Sequence, residues 1–260
     1  YWWLNHLVYL LGGDAQIALA IAAFITLFFC FKDTNKEEWF IYSILFFVLI
    51  FTWCCSTVRQ MISMSLAFYA FKKYNLGERV IPIVAILIAS AFHLSSIIYP
   101  FLFLFCKFSD MNNVKAVLIY IITLFVTFIA GDWLSTKLVV ILYDTAYGTY
   151  TETDWFDPVE IGSGFGVFLR YASYLIILLF FPYDKINNGK FILALFTLYV
   201  AIDIISIQVT IINRVGRGFI FCWLPCIYYL SIISYKHKYI VLTFVWLVIF
   251  VNFLASLNSG

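Results

Sequence analysis

Apolar stretches of about 15–20 residues recur along the whole chain, and short polar loops separate them. A helix of about 20 apolar residues crosses the ~30 Å hydrocarbon core of a bilayer, so this pattern predicts a polytopic helical membrane protein. We expect one integral membrane domain over residues 1–260, an all-α transmembrane bundle of about 9–10 membrane segments, some of them short or re-entrant. The predicted segments are 15–31, 39–56, 58–72, 80–106, 116–130, 164–181, 191–209, 218–234 and 239–255.

The first 13 residues differ from these segments. Tyr1, Trp2 and Trp3 are residue types that favour the headgroup boundary, so residues 1–13 are expected to be interfacial. The chain begins at Tyr1, without a methionine or a signal-like basic region. We therefore expect it to be part of a longer protein with further membrane spans ahead of residue 1.

Composition narrows the class of protein. Hydrophobic residues make up 64% of the 260 residues and charged residues 12%, which is too much apolar surface for a soluble domain of this size to bury. The net charge of +2 is too small to indicate nucleic-acid binding. The six cysteines lack the usual spacing of zinc ligands, so we interpret them as small buried hydrophobic residues and expect no metal or cofactor.

Lysine and arginine positions predict the orientation of the chain. With the loop KDTNKEE (32–38) in the cytoplasm and segment 80–106 treated as two half-length pieces meeting near His93, eleven cations fall inside and five outside. This agrees with the positive-inside rule, whereas a single span over 80–106 gives the weaker split of nine inside and seven outside. Each half is too short to cross ~30 Å, so the pair is expected to be re-entrant or to lie in a protein-lined site.

The outer cations differ chemically from the inner ones. Ten of the eleven inner cations are lysine, whereas four of the five outer ones are arginine: Arg59, Arg170, Arg214 and Arg217. A guanidinium offers a planar fork of donors that fits phosphate oxygens, and it keeps its proton. Snorkelling or helix capping explains each arginine taken alone. As a group they favour an anion-binding site in the outer leaflet.

One long connection, residues 131–163, is predicted to lie outside the membrane. It combines six carboxylates with six aromatic residues, which together suit a sugar: oxygen acceptors for hydroxyls and flat apolar faces for C–H edges. The alternative is a solvated acidic loop with interfacial aromatics. A glycan above the membrane and a phosphate at its surface describe a lipid-linked sugar, so we interpret residues 131–163 as an outer loop that binds glycan.

His93 lies within the apolar run from Val80 to Cys106 and is the candidate general base. Burial and nearby cations disfavour a charged imidazole, so a neutral ring is expected at pH 7, able to accept a proton from an acceptor hydroxyl. A lipid diphosphate can leave without protonation if cations stabilise its growing charge, so neither a second carboxylate nor a metal is required. A hydrogen-bonded core histidine is the alternative interpretation.

Two short motifs resemble the core of the EpsG family. Residues 59–63 read RQMIS and residues 89–96 read ASAFHLSS, and both match that family's pattern. A weaker match is NRVGRGF (213–219), at Arg214. The resemblance implies a GT-C-like, Wzy-type polymerase of bacterial exopolysaccharide or O-antigen. Such an enzyme acts on polyprenyl-diphosphate-linked oligosaccharides at the outer face of the bacterial inner or plasma membrane.

The resemblance also implies roles for particular residues. It implies His93 in the catalytic centre, Arg59 and Arg214 at the diphosphate, and inversion at the anomeric carbon. The family usually carries further spans at its start with an outer G-x-D…Y motif, which has no counterpart here. The remaining candidates are Gln60, Ser95 and Ser96 from the motifs, as substrate-positioning residues, and Arg170 and Arg217 from topology, as further diphosphate ligands.

Asp203 is the one carboxylate well inside a predicted span. An intramembrane carboxylate is a functional candidate by default. It can pair with an arginine, orient His93 or bind an acceptor hydroxyl, and we include it among the substrate-positioning residues. A local hydrogen bond to a neighbouring helix is the alternative.

Three other functions stay open at this point. A transporter or flippase of lipid-linked oligosaccharide also needs arginines, but it should line a path to the cytoplasmic side with charge. A membrane acyltransferase uses a membrane-depth histidine, usually with a nearby acidic partner that FHLSS lacks. A non-catalytic assembly subunit needs no arginine cluster. The expected partners are the lipid-linked oligosaccharide, the bilayer, and flippase and chain-length regulator proteins, with no nucleic acid.

Overall fold

The computed structural model describes residues 2–51, 57–143, 164–208, 212, 216–233 and 237–258, and these ranges are all-helical, without a strand. Helix α3 continues into a π-helical turn over Phe46–Ile50. Short 3₁₀ turns cover Leu94–Ile98, Tyr183–Lys185 and Arg217–Cys222. The α-helices are α1 (Trp2–Leu10), α2 (Ala15–Phe31), α3 (Lys36–Leu45), α4 (Val58–Asn75), α5 (Val80–Phe92), α6 (Tyr99–Phe108), α7 (Asn113–Tyr143), α8 (Phe165–Phe180), α9 (Gly189–Ile205), α10 (Trp223–Ile232) and α11 (Lys238–Asn258).

Local sequence signals explain where two of the early helices begin. Asp14 caps α2, because its carboxylate accepts a hydrogen bond of 3.0 Å from the Ile17 amide. A capping box starts α3: Asn35 Oδ1 accepts from the Glu38 amide at 2.8 Å, and the Glu38 carboxylate accepts from the Asn35 amide at 3.2 Å. These caps fix the loops on either side of α2, and the α2 bounds match the predicted segment 15–31.

The helices group into two compact units. The prediction of a single integral domain over 1–260 stays a prediction. Unit 1 comprises Tyr1–Phe108, Phe221–Tyr228 and Phe253–Gly260, and unit 2 comprises Ser109–Ile220 and Tyr229–Asn252.

Helix α4 forms the centre of unit 1. Every residue from Gln60 to Phe71 is buried, and α4 packs mainly against α5 and α2. Ala22 of α2 and Ala89 of α5 meet Ile62 and Leu66 of α4 in one buried cluster. Small residues at both partner positions let the helix backbones approach closely, as they do in membrane bundles.

Hydrogen bonds from Lys72 connect the C-terminal end of α4 to the C-terminal end of α2. The Lys72 ammonium donates hydrogen bonds to the Cys30 carbonyl, at 3.0 Å, and to the Lys32 carbonyl. The last carbonyls of a helix lack partners within the helix, so a cation at this position satisfies them and complements the helix dipole. Lys72 therefore fixes α4 against α2.

Segment 80–106 is broken in the middle, as predicted. Helix α5 ends at Phe92, His93 adopts an extended conformation (φ −149°, ψ 112°), and α6 begins at Tyr99 after the 3₁₀ turn. At 1.5 Å per residue, the 13 residues of α5 and the 10 of α6 span roughly 20 Å and 15 Å. Neither helix is long enough to cross ~30 Å of hydrocarbon alone.

Helix α7 is the longest element of unit 2. Its stretch Asn113–Lys137 is the one helix within the described ranges that is both long and apolar enough to cross a membrane. Only 22% of an apolar 18-residue part of that stretch is buried, unlike the core helix of a soluble protein. Large apolar side chains such as Ile121, Phe125 and Phe128 are exposed along it. Such a surface is suited to lipid.

The predicted outer loop 131–163 begins too early. Residues 131–143 continue α7 without a break, and residues 144–163 lie outside the described part of the chain. Gly131 lies within the helix and provides space for the Gln208 side chain: a Cβ at residue 131 would lie 2.5 Å from the Gln208 Cγ. This glycine is a packing position rather than a helix terminator. The glycan-binding role of the loop stays a prediction.

Helices α7, α8 and α9 pack against one another in unit 2. The Asn113 amide at the start of α7 donates to the carbonyls of Leu178 and Phe181, at 2.6 and 3.2 Å. The Tyr120 hydroxyl donates to the Tyr171 carbonyl at 3.0 Å. These bonds fix α7 along α8, which places the polar residues of α8 described below.

Candidate functional site

His93 occupies the break between α5 and the 3₁₀ turn in unit 1. Its amide donates to the Ala89 carbonyl at 3.0 Å, and its carbonyl accepts from the Ser96 amide at 3.0 Å. The imidazole is half-buried. Both backbone groups of His93 are therefore hydrogen-bonded, which defines where the candidate base lies.

Ser63 of α4 joins both sides of this break. Its hydroxyl donates to the Ala89 carbonyl at 2.8 Å and shares a hydrogen bond with the Ser96 hydroxyl. Because Ser63 uses its single proton on Ala89, Ser96 is the donor in the second bond. The Tyr99 hydroxyl is a further partner of Ser96. All three hydroxyl-bearing residues are buried. The network brings the RQMIS motif and the ASAFHLSS motif into contact.

In the sequence, Ser63 was noted only as part of a motif. In the structure its hydroxyl forms hydrogen bonds to residues on both sides of His93, Ala89 and Ser96. Its two contacts are 26 and 33 residues away along the chain, so spacing alone did not reveal them. Ser96, predicted as a positioning residue, lies within this network. The side chain of Ser95 lies outside the described part of the structure. Gln60 is buried one turn before Ser63 on α4.

Arg59 lies in the first turn of α4 and is exposed. Among the described residues it forms no ion pair. The Thr57 side chain at the N-cap makes no capping hydrogen bond to the first amides of α4. An unpaired guanidinium at the positive end of a helix dipole is an environment that favours an anion.

An apolar cavity adjoins the first turn of α4. Its volume is about 320 Å³, and Val58 and Met61 line it on the α4 side. These two residues flank Arg59 in the sequence, so the cavity begins in the helical turn that carries this arginine. The other lining residues are Leu19, Ala22, Ala23, Thr26 and Leu27 of α2, with Phe46 and Phe51 after α3.

A second polar cluster lies in unit 2. The Arg170 Nη1 is 4.0 Å from the Asp203 Oδ2, and the Tyr174 hydroxyl donates to that same oxygen at 2.9 Å. The hydroxyls of Tyr174 and Tyr199 are 3.4 Å apart. Arg170 and Tyr174 are four residues apart on α8, and Tyr199 and Asp203 are four apart on α9. Each pair therefore shares one helix face.

Pairing of Asp203 with an arginine was one of three roles expected from the sequence, and Arg170 is that arginine. The two tyrosines of the cluster were not predicted, although their four-residue spacing from Arg170 and Asp203 was visible in the sequence. Arg214 lies outside the described residues. Arg217 begins a 3₁₀ turn, and its side chain is not described. Arg59 and Arg170 belong to different units.

The described residues contain no group of three or more histidine, cysteine, aspartate or glutamate side chains placed to hold a metal ion. Cys30, Cys106, Cys222 and Cys226 are buried among apolar neighbours, which agrees with their interpretation as small hydrophobic residues.

Comparison with known proteins identifies the family. A sequence model described as the EpsG family matches residues 1–259, which is essentially the whole chain. Neither the curated proteins nor the solved structures gave a significant match. EpsG proteins are membrane proteins and polysaccharide polymerases, which implies a lipid-linked oligosaccharide as the substrate. The motif network around His93 and the match over residues 1–259 agree, and the chain belongs to the EpsG family of Wzy-type polysaccharide polymerases.

Proposed function

We propose that this chain joins polyprenyl-diphosphate-linked oligosaccharide repeat units into a bacterial surface polysaccharide on the extracytoplasmic face of the membrane. The observation that carries the proposal is the network Ser63–Ala89–Ser96. It fixes a half-buried histidine at a helix break on the same unit as an unpaired arginine. A general base and a cation for a leaving phosphate are the groups that glycosyl transfer from a lipid diphosphate requires.

In the proposed reaction an acceptor hydroxyl oxygen attacks the anomeric carbon of the donor sugar. The new glycosidic C–O bond forms as the bond between that carbon and the diphosphate oxygen breaks. The hydroxyl proton passes to the imidazole of His93, and the electron pair of the broken bond leaves with the lipid diphosphate. One displacement without a protein nucleophile inverts the anomeric carbon. Gln60, Ser95 and Ser96 position the substrate or the base.

The leaving diphosphate is stabilised by arginines in this proposal, so no metal is needed. Arg59 has the required features: exposure, no acid partner among the described residues, and a helix N-terminus around it. Arg214 and Arg217 complete the set by family resemblance and by predicted topology. The cavity of about 320 Å³ beside Val58 and Met61 receives the first isoprene units of the carrier lipid.

The test is reconstitution. Purified protein in lipid nanodiscs is mixed with a polyprenyl-diphosphate-linked repeat unit in the presence of EDTA, and the products are separated on a gel. A ladder of products that disappears in His93→Ala supports the proposal. A ladder that appears only with added Mg²⁺ contradicts metal independence.

Two further outcomes distinguish the alternatives. Transfer of the labelled lipid between leaflets without polymer indicates a flippase. Wild-type polymer from His93→Ala shows that another group is the base. A His93→Gln variant, which keeps a polar side chain of similar reach, separates loss of the base from loss of packing.

A further inference from the structure

We propose that the cluster of Arg170, Asp203, Tyr174 and Tyr199 in unit 2 binds the hydroxyls of an uncharged sugar. The inference rests on the proposed polymerase activity, and it separates sugar binding from diphosphate binding. Arg170 was predicted from topology as a diphosphate ligand, and its neighbour Asp203 favours this different role.

The surroundings of Arg59 and Arg170 differ in charge. Arg59 has no acid partner among the described residues, whereas the Arg170 guanidinium stands 4.0 Å from the Asp203 carboxylate. The charges of the second pair cancel, and a carboxylate this close repels a diphosphate. An arginine–carboxylate pair instead offers donors and acceptors side by side with no net charge. Neighbouring hydroxyls of a sugar ring need this combination.

The polar atoms of the pair are incompletely used. The contact of 4.0 Å between Arg170 Nη1 and Asp203 Oδ2 is longer than a hydrogen bond, so the guanidinium donors are not engaged by that oxygen. The Asp203 Oδ2 accepts from Tyr174, and among the described residues the Oδ1 accepts no hydrogen bond. A sugar hydroxyl can therefore donate to Oδ1 while a neighbouring one accepts from Arg170.

Burial shows how a ligand would reach the cluster. The Arg170 side chain is 48% exposed, whereas the Asp203 side chain is 11% exposed. Tyr174 and Tyr199 are buried. The Tyr174 hydroxyl donates to the carboxylate at 2.9 Å, and the Tyr199 hydroxyl lies 3.4 Å from that of Tyr174. Arg170 is therefore the most accessible member of the cluster, and a ligand would meet its guanidinium first.

A purely structural ion pair is the competing explanation, and a binding measurement separates the two. The probe is the lipid-free repeat-unit oligosaccharide released by mild acid from the producing cells, titrated into the full chain in nanodiscs. Asp203→Asn and Arg170→Gln are each expected to weaken binding by about tenfold or more, because each leaves a sugar hydroxyl without its partner. Arg170→Lys keeps the charge but loses the fork, so it should bind at an intermediate strength.

Asp184→Asn removes a carboxylate from an unrelated loop of unit 2 and should leave binding unchanged. Thermal unfolding of each variant checks the fold. Unchanged oligosaccharide affinity in both Asp203→Asn and Arg170→Gln would overturn the inference. So would loss of inorganic pyrophosphate binding in Arg170→Gln, which would identify a diphosphate site.

This test also separates the inference from the proposed polymerase activity. A wild-type chain that binds the oligosaccharide through Arg170 and Asp203 but forms no polymer would refute the polymerase and keep the sugar site. If the wild-type chain polymerises and Asp203→Asn leaves the KM for the acceptor unchanged, the polymerase activity stands and the sugar site is refuted.

Discussion

The Ser63 hydroxyl donates a hydrogen bond of 2.8 Å to the Ala89 carbonyl, and it thereby joins the middle of unit 1 to the last turn of α5, four residues before His93. The same carbonyl accepts from the His93 amide. The position of the candidate base therefore depends on a hydroxyl in a different helix, and this dependence leads to the first prediction.

Ser63→Ala is expected to reduce the polymerisation rate by at least about tenfold, because Ala89 and Ser96 lose their shared partner and the break can shift. The stability cost of losing the buried network is about 1–2 kcal/mol. The measurement is the initial rate in the reconstituted assay, with its pH profile. Ser65→Ala is the matched control, because the hydroxyl of buried Ser65 donates within its own helix, to the Ile62 carbonyl. Equal rates in the two variants would contradict a positioning role for Ser63.

Arg59→Ala should raise the KM for the lipid-diphosphate donor and lower kcat, since in the proposed reaction the arginine stabilises the charge that grows on the leaving group. A loss of about 100-fold in kcat/KM is expected for a single preorganised cationic donor. Steady-state kinetics with varied donor tests this. The control is Arg79, the other arginine of unit 1, whose guanidinium lies over the Tyr74 ring at 5.1 Å. The variant Arg79→Ala should retain normal kinetics. If Arg59→Ala polymerises normally, the diphosphate lies elsewhere.

Ala23→Phe is expected to narrow the cavity beside Val58 and Met61, because Ala23 is one of its lining residues. The KM should rise for a donor with a long prenyl chain and change little for a farnesyl donor, which needs less of the cavity. The comparison of the two donors is its own internal control. Equal effects on both would indicate that the cavity is not the carrier-lipid site.

Lys72→Met should destabilise the protein by about 1–3 kcal/mol, because two carbonyls at the end of α2 lose a charged donor while the apolar stem is kept. Thermal unfolding in detergent measures this. Lys107→Met is the comparison, since Lys107 is exposed and its ammonium lies over the Tyr74 ring, 5.1 Å from the ring centroid. If the melting temperature of Lys107→Met is as low as that of Lys72→Met, the hydrogen bonds from Lys72 to the end of α2 do not contribute to stability.

The loops of unit 2 provide a pH-dependent contact. The Lys190 ammonium donates to the Asp110 carboxylate at 2.5 Å, and this bond, with Lys115 nearby, holds the pKa of Asp110 below its ordinary value. The same bond raises the pKa of Lys190. A carboxyl with a lowered pKa stabilises the fold above its ordinary value of about 3.9 and loses that effect as the pH falls through its folded value.

The contact should therefore persist at neutral pH, weaken below the ordinary aspartate value of about 3.9, and open as the pH falls through the lower folded pKa of Asp110. At the other limit it should open as the pH rises through the raised pKa of Lys190, above the ordinary lysine value of about 10.4. Hydrogen exchange at residues 186–190 in nanodiscs, followed as the pH is lowered from 7 through the titration of Asp110, measures the opening. Lys190→Ala should show the fast exchange already at pH 7. Exchange that is independent of both pH and Lys190 would refute the coupling.

The break at His93 was predictable from the sequence because the balance of cations across the membrane favoured two half-length pieces over a single span. Its support by Ser63 was not, since a serine in a motif does not reveal which carbonyl it bonds. The predicted start of the outer loop at residue 131 was wrong for a related reason. Asp132 and Lys137 resemble loop residues, but the helix continues through them, and Gly131 is a packing position against Gln208.

Helix α4 has a consequence for how the protein is made. Its residues from Gln60 to Phe71 are buried on every side, and Gln60, Ser63 and Ser65 are among them. A segment with this many polar groups has little tendency to leave the translocon for lipid by itself. It gains a favourable environment only when α2 is already present and α5 follows. Membrane insertion of α4 is therefore expected to be delayed until its neighbours are synthesised, so that biogenesis and the assembly of the catalytic centre are one event.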